Sequence, residues 1–220
     1  MNKLERIDIV RLLGLNTQEH VLISSEDDVT QNSSWLAAVD KYTVRTFSRT
    51  PRHVTEPSFP IIDAREFLER HLRQLLRDGW NVIVARGIDP QYAEFAGAIM
   101  RDGWQTVVEI AYGIPYGRPV TVRRVSHEGL IDRAFECHGA GCYVGDEKVD
   151  SALAQVYAVE RRFPAIEGLR HVIYEFSYYA IPVGWKRENI IFWEITGVNR
   201  MEPDLDPEMI MKALEAASKP

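Results

Sequence analysis

Cysteine is almost missing from this 220-residue chain: Cys137 and Cys142, in the run ECHGAGC, are the only two. A disulfide-built secreted scaffold is thereby excluded. With His138 between them they still fall short of the four protein ligands, or three plus water, of a zinc centre. They read as two reduced thiols in a glycine-rich loop. No apolar run approaches the ~18 residues of a membrane span. The opening MNKLERIDIV lacks the apolar core of a secretory signal, so a cytoplasmic setting without membrane attachment is expected. Basic excess is lacking too. A net charge of −6 and a pI near 5.6 argue against a general nucleic-acid binder. Lysine is scarce, with 6 Lys against 20 Arg. A GC-rich genome accounts for that as well as a need for bidentate anion contacts does. Finally, there is no GxxxxGK[ST], GxGxxG, HExxH or GxSxG, which removes P-loop, Rossmann, zincin and serine-hydrolase readings.

What is present is an ordinary globular composition, 45% hydrophobic and 26% charged, with length enough for a substantial core. Helical spacing is expected over 3–14, with Gly14 as the stop, over 33–39, and over 64–77 behind an Asp63 cap. It recurs at 150–163 and 207–217. Strand composition marks 20–24, 41–49, 80–88, 94–100, 106–113 and 119–126. Residues 26–28 read as an acidic turn and 129–142 as loop. The three prolines of TPRHVTEPSFP (50–60) predict an ordered surface loop, a candidate lid.

The most informative stretch is HVIYEFSYYAIPVGWKRENIIFWEITGVN (171–199): two β-rich runs around a polar turn, most simply an antiparallel hairpin. Each run carries one acid, Glu175 and Glu194. A turn spanning about 181–188 lets the two face each other across neighbouring strands. Like charges so placed repel unless a cation such as Mg²⁺ sits between them; the plainer alternative puts both on a solvent face. Helices that flank mostly antiparallel strands, without βαβ alternation, define an α+β class.

The order of pieces from residue 41 to 199 (VRTFSRTPRHVTEPSFP, NVIVARGIDP, EFAGAIM, VVEIAYG, TVRRV, YEFSYY, IIFWEITG) resembles the ATP-grasp superfamily. Within it the look is closest to the nucleotide-binding domain of phosphoenolpyruvate synthase and pyruvate phosphate dikinase. The resemblance implies ATP and Mg²⁺ as cofactors, and nucleotide and a small-molecule acceptor as partners; a homo-oligomer or a partner subunit stays open. It implies that Arg45 contacts ATP phosphates, and that Arg123 or Arg124 points into the cleft, Arg123 carrying a catalytic role. Val84, Ala85, Arg86 and Ile88 would form the adenine hinge, and Glu94 would bind ribose or orient a cation. Glu175 and Glu194 would hold Mg²⁺, with Thr196 or Asn199 finishing its shell. It also implies a reduced N-terminal lobe with the lid loop over 1–79, and an ATP-grasp-like C-terminal lobe over 80–220, as one structural unit.

The chain departs from that pattern. Thr196 stands two residues after Glu194 where Asn is usual, and Lys3 and Lys41 are the only lysines before residue 148. No phosphohistidine domain or carboxyl-terminal barrel is seen, so a complete phosphoenolpyruvate synthase is not expected. Two functions follow: γ-phosphoryl transfer to an acceptor, or a non-catalytic nucleotide-sensing or partner-binding module. A third is protein binding through exposed hairpin aromatics, Tyr174, Phe176, Tyr178, Tyr179, Trp185, Phe192 and Trp193. Lesser candidates are His53 in the lid, His127-Glu128, and Glu109 as a third acid.

Overall fold

The computed structural model describes residues 2–50, 55–103, 105–112, 121–126, 135–137, 146–164, 166–197 and 207–217. Its strands form a four-stranded and a six-stranded sheet, and each pairing in them is antiparallel. The α+β class and antiparallel character expected from the sequence are what the chain adopts. Two compact units result: residues 18–89, and residues 3–17 together with 90–220. Sheet pairing between distant segments is what defines them.

The smaller unit opens with β1 (His20–Ile23), α2 (Glu26–Gln31) and α3 (Ser33–Ala37). Strand β2 (Lys41–Ser48) follows, then β3 (Ser58–Asp63). A helical run comes next as α4 (Ala64–Glu66), a π-helical turn at Phe67–Leu72 and α5 (Arg73–Arg77), before β4 (Trp80–Arg86). The strand order is β1-β4-β2-β3. Strand β4 is central, as its apolar run WNVIVAR predicted, so it belongs with the strands before it. Residues 26–28, expected as a turn, open α2: the Ser25 hydroxyl accepts from Asp28 N, and three acids lie in the first turn. Part of the proline-rich stretch is strand β3. Pro60 is tolerated because β3 is at the sheet edge, where one side of the backbone has no ladder to join. Asp63 caps the helix as expected, its carboxylate accepting from Glu66 N at 3.0 Å. The core lies between sheet and helices around Phe67, which meets Tyr42 and Phe59 edge-on at ring-centre distances of 5.9 and 5.8 Å.

The larger unit begins with α1 (Lys3–Leu12). After a 3-10 turn at Pro90–Tyr92 come β5 (Ala93–Asp102), β6 (Gln105–Tyr112), β7 (Thr121–Ser126) and a short β8 (Phe135–Cys137) inside the segment read as loop. Helix α6 (Asp146–Arg162), a 3-10 turn (Glu167–Arg170), β9 (Val172–Val183), β10 (Glu188–Gly197) and α7 (Pro207–Ala217) complete it. The sheet order is β10-β9-β5-β6-β7-β8. One face is the core: Phe95, Ile99, Val108, Ile110, Tyr174, Phe176, Phe192 and Ile195 lie on it, all buried. Helix α6 covers it with Val149, Ala152, Leu153 and Val156, a spacing of three and four that keeps one stripe inward. Ile9 and Val10 of α1 and Ile210 of α7 join the same core.

Arg101 also points to this core face and is wholly buried. Glu160 of α6 grips its guanidinium (Nη2 to Oε2, 2.9 Å), the Thr106 hydroxyl accepts from it, and the Tyr157 ring lies 5.1 Å away. A buried cation so enclosed ties α6 to β5 and is costly to disrupt from either side.

Candidate functional site

The face of the six-stranded sheet opposite α6 carries the acids. Along β9, Val172, Tyr174 and Phe176 enter the core, so Ile173, Glu175, Ser177 and Tyr179 take the other face by simple alternation. Strand β10 does not alternate simply. Phe192 and Ile195 are three residues apart, yet both enter the core. The pairing explains this: Phe192 stands opposite Phe176 but Glu194 stands opposite Glu175, with a register shift between them. Trp193 is the extra residue of a β-bulge, and a bulge reverses the face of every residue beyond it. Glu194 thereby moves to the face of Glu175. Trp193 is held by its indole N–H, which donates to the Ser177 hydroxyl at 2.8 Å.

Directly opposed residues of an antiparallel pair have Cβ atoms ~5 Å apart, within reach of one small cation. Both acids are half-buried. The row continues through Ala98 of β5 to Glu109 of β6, which is exposed. The next row on the same face holds Thr196, Ile173, Met100 and Val107, and Arg124 stands opposite Val107. Arg123 stands opposite Val108, which is a core residue. Of the two arginine positions, 124 is therefore in register with the carboxylate face. No group of three or more His, Cys, Asp or Glu side chains converges among the described residues.

The other sequence-derived candidates are placed as follows. Arg45 is half-buried on β2, opposite Ser58 and Ile83. Its face of the smaller sheet is the one away from the helices, since its neighbours Val44 and Thr46 alternate inward. Val84 is fully buried in the small unit's core, and β4 is laddered on both sides at Val84 and Ala85. Arg86 is exposed and its Nε donates to Glu19 at 3.1 Å. Gly87 N donates to Lys41 O at 2.7 Å, so Ile88 is the first residue of that stretch past these contacts. Glu94 is ion-paired with Lys148 of α6, whose ammonium sits 4.8 Å from the Tyr178 ring centre. Asn199, His53, His127, Glu128, His138 and Cys142 lie outside the described residues.

The exposed-aromatic alternative is corrected: Tyr174, Phe176, Tyr179 and Phe192 are all 0–1% exposed, and Tyr178 packs against the core. Burial also pushes the Tyr174 and Tyr179 phenols well above their ordinary range.

Two residues that sequence reasoning missed bear on the site. Lys148 was visible only as a lone mid-chain lysine. Asn16, fully buried, holds the turn of the β9–β10 hairpin, and its only sequence signal was a short polar LNTQ after the helix stop.

No protein-family model and no curated sequence matches the chain. Solved structures do. The chain aligns with an N5-carboxyaminoimidazole ribonucleotide synthetase solved with ADP, at a TM-score of 0.53 and 12% identity, over 89% of this chain and 44% of that one. It aligns with an L-amino acid ligase from Bacillus licheniformis at a TM-score of 0.52 and 12% identity, over 90% and 42% of the two chains. For D-alanyl-alanine synthetase A from Vibrio cholerae the TM-score is 0.51 at 13% identity, over 99% and 60%. The fold is ATP-grasp-like, shared with these three proteins. The chain spans about two-fifths to three-fifths of the length of these structures. The narrower resemblance to phosphoenolpyruvate synthase gains no support from these matches.

Proposed function

We propose that this chain binds Mg-ATP and transfers the γ-phosphoryl group to a small-molecule acceptor, as an ATP-dependent ligase or phosphotransferase. The observation that supports it most is the placement of Glu175 directly opposite Glu194. The bulge sets two carboxylates side by side on one face, which is the kind of hard oxygen pair that a small divalent cation takes. Glu175 and Glu194 would hold Mg²⁺ there, and the ion would supply charge neutralisation for phosphoryl transfer. Thr196, in the next row of the same face, and Asn199, two residues past the end of β10, are the residues to complete its shell. Arg45 is assigned the phosphate contact its planar guanidinium suits. Position 124 is preferred to Arg123 as the second cation, because of its register. Ile88 takes the adenine contact, and Glu94, steadied by Lys148, the ribose. A cytoplasmic setting belongs to the same proposal.

A second reading is favoured by one feature. Thr196 in place of Asn, with no lysine between Lys41 and Lys148, suits a module that binds nucleotide without turning it over. Binding separates both from no nucleotide function, and ADP release in the presence of acceptors separates one from the other.

Thermal unfolding with ATP, Mg²⁺ and both together tests the proposal. A ligand at 100 times its Kd adds about 2.7 kcal/mol. Mg-ATP is expected to raise the melting point of the wild type and to leave Glu175→Gln and Glu194→Gln unmoved. No shift of the wild type with any nucleotide sinks it.

A further inference from the structure

The register that brings Glu194 beside Glu175 is not set by the hairpin's turn alone. The hairpin's ladder is broken twice. Between Glu188↔Val183 and Ile190↔Tyr178, β10 advances by two residues while β9 runs back by five. The second break is the bulge at Trp193. In an unbroken hairpin the turn and loop length fix the register, but here neither reaches the acids intact.

Within the hairpin, Asn189 Nδ2 donates to Tyr179 O at 2.8 Å across the first break; further bonds there come from the segment that follows α1. Asn16 is fully buried, and its side-chain amide is spent entirely on the irregular region: Nδ2 donates to Val183 O at 3.0 Å and to Ile190 O at 2.6 Å, one on each strand, and Oδ1 accepts from Lys186 N in the turn at 3.0 Å. Its backbone carbonyl accepts from Phe192 N at 2.7 Å, the residue just before the second break. Thr17 O accepts from Trp185 N at 3.0 Å, and Leu15 O from the Trp185 indole at 3.1 Å. Gly184 is shaped to this contact. It has φ +74, and a Cβ there would lie 2.5 Å from Asn16 Oδ1 and 2.8 Å from Thr17 O.

We propose that Asn16 is the positioning residue of the Glu175–Glu194 pair: bridging both strands across the first break, it fixes the offset at which the acids meet. The proposal rests on the metal reading above for its functional meaning, but its register claim stands on the hydrogen bonds alone. Asn is the residue the site demands, because two donors and an acceptor on one planar group match two carbonyls and an N–H. Asp would set an acceptor against two carbonyls.

The test reads register and metal separately, with Leu153→Ala, a core substitution in α6, as the control for lost stability. In a background of Cys137→Ser and Cys142→Ser, Glu175→Cys and Glu194→Cys are introduced together; directly opposed strand positions lie within disulfide reach. Oxidation is expected to close this cross-link readily when Asn16 is present. With Asn16→Ala or Asn16→Asp it should close about 10-fold more slowly, and with Leu153→Ala at the parent rate. In the native-cysteine protein, Mn²⁺ binding in the presence of ATP, followed by electron paramagnetic resonance, should weaken about 10-fold or more in the Asn16 variants and not in Leu153→Ala. Equal cross-linking in the Asn16 variants and the control overturns the proposal. Cross-linking that depends on Asn16, in a protein that binds no Mn²⁺, upholds the register claim and removes the metal reading alone.

Discussion

Glu175 and Glu194 are ordinary residues at a matched place, directly opposed on neighbouring strands and each also engaged by other groups of the chain. Replacing a carboxylate by its isosteric amide keeps the shape and removes one hard oxygen ligand. We expect Glu175→Gln, in urea unfolding without divalent cation, to stay within about 1.5 kcal/mol of wild type, the worth of a single polar contact, while losing the Mg-ATP response. A much larger loss of stability would show the carboxylate to be chiefly a structural partner instead. The acids themselves were legible, because a lone Glu within a β-rich aromatic run stands out. Their opposition was legible only as one outcome of a guessed turn. Asn16 was not, since its partners are 167 to 174 residues away in sequence.

At the scale of the element, the β-hairpin, the central β4 and the amphipathic α6 followed from composition and period. The bulge did not: IIFWEITG reads as one continuous strand, and nothing in it announces that Trp193 is counted twice against its partner. The π-helical turn at Phe67–Leu72 also escaped, since its apolar residues keep near-helical spacing. Strand β5 adds a constraint of its own. At Gly97 a Cβ would lie 2.1 Å from the backbone oxygen of Glu109 on β6, so the two strands approach as only glycine permits. Gly97→Ala must move backbone, not a side chain, and shifts the strand that carries Glu109. We expect a loss of about 1–3 kcal/mol in chemical denaturation, as for overpacking elsewhere. A neutral result would mean that β6 slides freely.

For the molecule as a whole, antiparallel pairing across distant segments decides the compact units. His20–Ile23 pair with Val82–Ala85, and Lys3–Thr17 join a unit that otherwise starts at Pro90. Among the described residues no helix is long and apolar enough to cross a membrane. The buried tyrosines of both units also give the protein a response to alkali. Burial raises Tyr42 to about 12, and raises Tyr174 and Tyr179 as well, while an unfolded tyrosine ionises near pH 10. The folded state thus favours the neutral phenols. Their contribution is complete below about pH 10 and is lost as pH rises toward and through the folded values. Phenolate absorbance during a base titration should show these three tyrosines ionising late, together with unfolding. Their titration near pH 10 in a folded chain would contradict the burial described here.

The central claim is that the two opposed carboxylates hold a cation on a nucleotide. Titration calorimetry with ATP, run once with Mg²⁺ and once with a chelator, on wild type, Glu175→Gln and Glu194→Gln, tests it most directly. Binding by the wild type that requires Mg²⁺ and is lost in both variants is the predicted result. Binding that is indifferent to Mg²⁺, or unchanged by either substitution, would contradict it.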